Sequence, residues 1–287
     1  MRNIKIKSYC KVNLTLRVLR KLRNGYHEIT SMISFCNLHD VISISKTNNR
    51  SDKITFSGKF SSDINKKSNS VSAVLSLIKK KILKKNQFFK INIKKNIPHG
   101  SGLGGGSSNA ATILNYFISK NKLKINKERI EKLANQIGSD VPVSLVMKNS
   151  YLTGKKGEII RTSKKFRLNL LIVFPNIFCS TKRIYQKNKK ISLIKKQPLP
   201  WTKNSKNLIN FLKNDKNDLQ ETVIKIYPKV GKIIDFIQSQ KGCYFSRISG
   251  SGSACIGIFS NKKNAIYAKK LIKLKYPKYW CVVSKTI

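Results

Sequence analysis

Val12, Leu14, Leu16 and Val18 are interleaved with Lys11, Asn13, Thr15 and Arg17, the period of two that marks a half-buried strand. A short strand at Ile4 and Ile6 precedes it. Val41, Ile42 and Ile44, then Ile54 and Phe56, predict further strands, and Phe89, Ile91 and Ile93 alternate with Lys90, Asn92 and Lys94 in another. Val71, Val74, Leu75, Ile78 and Ile82 recur instead at helical spacing, with Ser68 and Asn69 as candidate caps. A helix is predicted from Ser107 to Lys120, its first turn carrying two serines and an asparagine. Ile130, Leu133, Ala134 and Ile137 mark the next helix, ended by Gly138. Residues 167–174 form a buried strand that Pro175 breaks. Beyond it, 199–212 and Tyr227 to Ile237 look helical, and Cys243 to Ile248 and Ala254 to Phe259 look like strands around a glycine-serine loop. A helix through Ala268 and Leu271 then precedes a last strand at Cys281 to Val283. Strands early, helices later and no regular β-α-β alternation imply an α+β fold. Two lobes would meet near residues 150 to 165, a division into 1–160 and 161–287.

Composition adds a strong charge to this pattern. The chain has 59 basic against 12 acidic residues, a net charge of +47, which raises the possibility of a nucleic-acid partner. The apolar share of 40% is too high for a disordered basic protein. Only 10 of the cations are Arg, the residue whose planar fork suits phosphate reading; the other 49 are Lys. Lys, Asn and Ile are all abundant, as compositional drift toward A/T-rich codons would produce. A basic RNA-binding protein therefore stays open as one reading. No apolar run reaches the roughly 18–20 residues of a membrane span, and the start MRNIKIK leads into polar residues rather than a secretory core. These features predict a cytoplasmic protein with no membrane partner. The six cysteines are widely spaced and there are only three histidines, which argues against a zinc site or a disulfide framework.

The chemistry is concentrated in Pro98-His99-Gly100-Ser101-Gly102-Leu103-Gly104-Gly105-Gly106-Ser107-Ser108. Glycines let the backbone take positive φ and turn N–H groups toward an anion, and the start of a helix adds its dipole. A Walker loop would need a Lys, and none occurs between Pro98 and Ser119. A dinucleotide fingerprint is formally present in Gly100, Gly102 and Gly105, yet no acid follows between Asn115 and Lys127 to bind a ribose. A nucleotide-phosphate loop, a dinucleotide loop and a plain turn remain the readings of these residues alone.

The same stretch resembles the ATP loop of the GHMP kinases, P-x-x-x-G-L-G-x-G-S-S. Three further segments are similar to that family and fall in its order. They are Lys11-Val12-Asn13-Leu14 with Asn24-Gly25-Tyr26-His27, then Gly138-Ser139-Asp140-Val141-Pro142, then Ser249-Gly250-Ser251-Gly252-Ser253. The chain departs from the family at Tyr9-Cys10, where Pro-Ala is usual, and at Asn24, where Asp is usual.

The resemblance implies a two-lobed fold, a ribosomal-protein-like first lobe and an α/β second lobe, and a kinase that uses ATP and Mg²⁺. It implies that Pro98 to Ser108 bind ATP, that Asp140 is the proton acceptor, and that Lys11 pairs with it and steadies the developing alkoxide. Taken alone, Asp140 beside Gly138 would read as a turn or cap residue, with Pro142 pushing Val141 into extended backbone and ending any helix. Gly25-Tyr26-His27 would read as a turn. The likeness is greatest to the branch whose substrate is an alcohol carried on cytidine diphosphate, 4-diphosphocytidyl-2-C-methyl-D-erythritol. It implies Asn13, Tyr26, His27 and Tyr185 as substrate-binding residues, Tyr26 stacking on the cytosine, His27 hydrogen-bonding to it and Tyr185 supplying the opposite stacking face. His99 is expected to point outward and His39 to be an ordinary strand residue. The Gly250-Ser251-Gly252 loop could brace the site or simply close a hairpin. Homoserine or mevalonate would be the alternative alcohols, and a monomer or homodimer without a specific nucleic-acid partner is expected.

Overall fold

The structure, a computed structural model, describes residues 3–23, 25–62, 64–65, 68–83, 86–154, 157–193 and 205–287. Its elements begin β1 (Ile4–Asn13), β2 (Arg17–Lys21), β3 (His27–Thr47), β4 (Lys53–Ser57), α1 (Ser70–Lys81), β5 (Phe88–Lys94), α2 (Gly105–Lys120), α3 (Lys127–Ile137) and α4 (Val141–Ser144). They continue β6 (Ser150–Thr153), β7 (Glu158–Arg161), β8 (Asn169–Phe174), α5 (Thr181–Lys187), α6 (Ser205–Asn214), α7 (Gln220–Ile226), α8 (Pro228–Gln238), β9 (Cys243–Ile248), β10 (Cys255–Phe259), α9 (Lys262–Lys275) and β11 (Trp280–Lys285). These elements form two compact units. The segments up to Lys11, Leu38–His99 and Gly104–Met147 make the first; Val12–Asn37, Gly100–Leu103 and Lys148–Ile287 make the second. The units interleave along the sequence, with borders that differ from a linear division into 1–160 and 161–287.

In the first unit, β4 and β5 are parallel and α1 is the crossover between them, while residues 41–47 of β3 pair antiparallel with β5. This is a β-α-β unit that the sequence pattern did not suggest. Asn69 caps α1 as expected, accepting from the N–H groups of Val71 and Ser72 while Ser72 accepts from the N–H of Asn69. The core joins Ile42, Ile44, Ile91 and Ile93 of the strands to Val74, Ile78, Ile113, Leu114 and Phe117 of α1 and α2.

The second unit has an antiparallel sheet in the order β11-β8-β10-β9. Its core gathers Leu171, Val173, Ile248 and Cys255 with Val223 of α7, Ile233 and Ile237 of α8, and Ala268 and Ile272 of α9. In the same unit, β2 pairs with the first residues of β3, and β6 pairs with residues 31–33.

Three expectations change. The strand expected across Val12 to Val18 is broken: β1 ends at Asn13, and the Leu14 N–H donates to the Met32 carbonyl at 2.7 Å. Residues 10–16 are all buried, so their alternation did not separate an inner from an outer face. The strand expected near Val41 starts at His27, because residues 30–36 are buried on both sides and show no alternation. Val141 is not extended but opens α4, with Pro142 in the first turn, where a missing N–H costs nothing. Of the helix expected over 199–212, residues 199–204 lie outside the described residues, as does Asn24.

Candidate active site

Helix α2 begins inside the glycine stretch. Gly104 is its N-cap at φ 66, ψ 17, a left-handed conformation, and no side chain caps the helix there. Gly105 and Gly106 form the first turn, with Gly106 exposed and Ser107 half-buried. The first-turn N–H groups of a helix have no acceptor within it and carry the positive end of its dipole, a natural anion seat. A Cβ on Gly104 would stand 2.6 Å from Cγ and 2.9 Å from Cε of Lys11. The stem of Lys11 therefore lies directly across the N-cap.

Lys11 comes from β1 and is buried, and its Nζ is 3.3 Å from Oδ2 of Asp140. Asp140 follows the Gly138 end of α3 and directly precedes α4, at φ −89, ψ −5. Its side chain is 44% exposed against 5% for Lys11. A carboxylate half-open to solvent with a sheltered ammonium beside it can accept a proton while nearby negative charge is stabilised. The structure thus joins the two expected catalytic residues and sets Lys11 over the start of α2, all within one unit. Ser108, also in that unit, is fully buried in the first turn of α2, and its hydroxyl has no hydrogen-bond partner among the described residues.

In the second unit, Gly100 to Leu103 is held by the loop between β9 and β10. Ser249 donates from Oγ to the Gly102 carbonyl at 3.1 Å, and the Ala254 N–H donates to the Ser101 carbonyl at 3.0 Å. A Cβ on Gly102, which sits at φ 81, would fall 2.1 Å from the Ser249 carbonyl oxygen, so only glycine fits. The glycine-serine loop is therefore both a hairpin connection and a brace. Asn13 joins the same cluster: its N–H donates to Ser249 Oγ at 3.1 Å and its Nδ2 to Ser31 Oγ at 2.8 Å.

His27 and Tyr185, from β3 and α5, meet with ring centroids 5.0 Å apart and planes inclined by 32°. Burial, then the charge of Lys21, hold the His27 pKa below its ordinary value. Tyr26 is 65% exposed. Pro98 is buried, while His99 is exposed and turned outward as expected; His39 lies in β3, with Tyr9 edge-on at 5.3 Å.

Asp40 was not anticipated. It is fully buried and accepts from Lys95 Nζ, from the Asn96 and Ile97 N–H groups at 2.7 and 2.9 Å, and from Asn109 Nδ2 at 3.0 Å. Its one signal in the sequence was a lone acid at the start of the apolar run Val41-Ile42. Among the described residues no group of three or more His, Cys, Asp or Glu side chains could hold a metal ion, and no helix is long and apolar enough to cross a membrane.

Comparison with known proteins places these features in context. The family described as GHMP kinases N terminal domain matches residues 69–148, and GHMP kinases C terminal matches residues 201–272. The chain is 39% identical over 287 residues to the 4-diphosphocytidyl-2-C-methyl-D-erythritol kinase of Pelagibacter ubique (strain HTCC1062), covering 100% of both chains. It is 32% identical over 275 residues to the enzyme of that name from Caldicellulosiruptor bescii, covering 94% of each. A crystal structure of 4-(cytidine 5'-diphospho)-2C-methyl-D-erythritol kinase superposes with a TM-score of 0.79 at 21% identity, over 99% of this chain and 100% of that one. Homoserine kinase from Cytophaga hutchinsonii follows the same fold at a TM-score of 0.71 and 15% identity, over 100% of this chain and 95% of that one.

Proposed function

The chain belongs to the 4-diphosphocytidyl-2-C-methyl-D-erythritol kinases of the GHMP kinase family, and from that membership we propose how its residues divide the reaction. The protein is an ATP-dependent kinase that phosphorylates the 2-hydroxyl of 4-diphosphocytidyl-2-C-methyl-D-erythritol in the non-mevalonate route to isoprenoid precursors. Phosphoryl transfer to an alcohol needs the polyphosphate positioned, its charge offset and the hydroxyl proton removed. We assign the first task to the glycine stretch Pro98 to Ser108 and the open start of α2. Asp140 takes the proton as the oxygen–phosphorus bond forms and ADP departs, and Lys11 offsets the negative charge on that oxygen. The observation that carries this assignment is the Lys11–Asp140 pair at 3.3 Å with the Lys11 stem laid on the N-cap of α2.

Mg²⁺ bound with ATP would neutralise part of the phosphate charge. The Ser108 hydroxyl, without a hydrogen-bond partner among the described residues, fits such a role, and Ser107 and Ser108 are the residues we assign to it. We assign the exposed Tyr26 and Tyr185 to stacking on the cytosine, His27, whose ring lies against Tyr185, to hydrogen bonding with it, and Asn13 to a polar contact. In sequence terms we propose an ATP-binding domain over 1–160 and a second kinase domain over 161–287, in a cytoplasmic monomer or homodimer with no specific nucleic-acid partner.

The test is ADP formation from ATP and Mg²⁺ with a panel of alcohols: the cytidine diphosphate substrate, homoserine and mevalonate. Turnover confined to the first is expected. The Asp140→Asn variant should keep its fold and lose roughly 10²–10⁴ in kcat, the usual share of a general base. A variant with wild-type turnover would remove Asp140 from that role.

A further inference from the structure

Two separate stretches of the first unit converge on Asp40. Lys95 and the N–H groups of Asn96 and Ile97 lead into the glycine stretch, and Asn109 stands in the second turn of α2. The Lys95 ammonium is itself buried, and a Cβ on Gly105 would stand 3.4 Å from it. The cluster therefore lies against the first residue of the helix whose open end we assign to ATP phosphates. An ionised acid buried there without partners would be costly and would set negative charge behind an end that must attract polyphosphate. Lys95 cancels that charge, while the other three donors tie the strand end at 95–97 to the body of α2.

We propose that Asp40, Lys95 and Asn109 are positioning residues for ATP. They hold the first turn of α2 at a fixed place relative to residues 95–97 and neutralise the charge beneath it, so that the phosphate-binding N–H groups are set before the nucleotide arrives. None of the three need touch ATP. The sequence run Lys95-Asn96-Ile97 ahead of the glycines and the lone Asp40 serve no step of the transfer reaction otherwise, and their burial is explained by this role.

The inference rests on the assignment of α2 to ATP, and the experiment separates the two. Titration of the full-length protein with Mg-ADP, with KM measured for ATP and for the alcohol, is run on wild type and on Asp40→Asn, Lys95→Met and Asn109→Ala. Loss of a hydrogen bond to a buried charge should weaken ADP binding and raise the ATP KM about tenfold or more, with the alcohol KM within about twofold of wild type. A purely structural role would lower the unfolding temperature and the active fraction but leave the nucleotide affinity of the folded protein unchanged. That result in Lys95→Met and Asn109→Ala, which decide the matter if Asp40→Asn does not fold, would overturn the proposal. Wild-type protein that fails to bind Mg-ADP would remove the ATP assignment itself, and the proposal with it.

Discussion

At the scale of single residues, His27 offers the most direct electrostatic test. Burial and the Lys21 charge both disfavour the imidazolium, so His27 stays neutral further into the acid range than a free histidine, whose value is 6.5. An unfolded chain would take up that proton first. The stability His27 contributes is thus present above 6.5 and is lost as pH falls through its lowered value. A proton NMR titration should place its midpoint below 6.5, and Lys21→Ala should move the midpoint upward. A midpoint unchanged by that substitution would mean burial acts alone. The adjacent ring carries a binding prediction: if Tyr185 stacks on cytosine, Tyr185→Ala should cost about 1–3 kcal/mol of substrate binding, the usual worth of base–aromatic stacking, and raise the alcohol KM with the ATP KM unchanged.

At the scale of elements, α2 couples fold to chemistry through Gly104. Any side chain there meets two penalties: a left-handed backbone, worth about 1–2 kcal/mol for a non-glycine residue, and collision with the Lys11 stem. Gly104→Ala should therefore lower thermal stability by about that amount and also depress kcat, because Lys11 must move away from Asp140. Circular-dichroism melting together with steady-state rates checks both halves; a stability loss with full kcat would show that Lys11 has room to readjust. This element was readable from the sequence because five glycines and two serines leave a recognisable trace. Helix α1 was readable too, since one face is wet and the other buried. The first half of β3 was not, because burial on both faces erases the period of two. Lys11 and Asp140 could be paired only through family likeness, as one Lys among 49 and one Asp after a glycine carry no local signal. Asp40 escaped notice because its partners lie 55 to 69 residues away in sequence.

For the whole molecule the question is what the net charge of +47 does. At least eight of the acids already sit in ion pairs, among them Asp40, Asp140, Asp215 and Asp218. With 59 cations against 12 acids, pairing cannot remove the excess, and most lysines must face solvent as free charge. Both substrates of the reaction are polyanions, so this field should raise their encounter rate rather than stabilise the fold. Screening acts over roughly 8–10 Å at physiological ionic strength; kcat/KM for ATP and for the alcohol should therefore fall as salt is added, while kcat stays nearly constant. The same field will capture RNA without reading it. Such binding should weaken by about 10³–10⁵ between 50 and 200 mM salt if six to ten phosphates are neutralised, and should show no sequence preference. Measuring RNA affinity and kcat/KM across one salt series separates the alternatives: parallel loss of both assigns the lysines to non-specific attraction, whereas RNA binding that persists at 200 mM with a preferred sequence would establish a second activity on this chain.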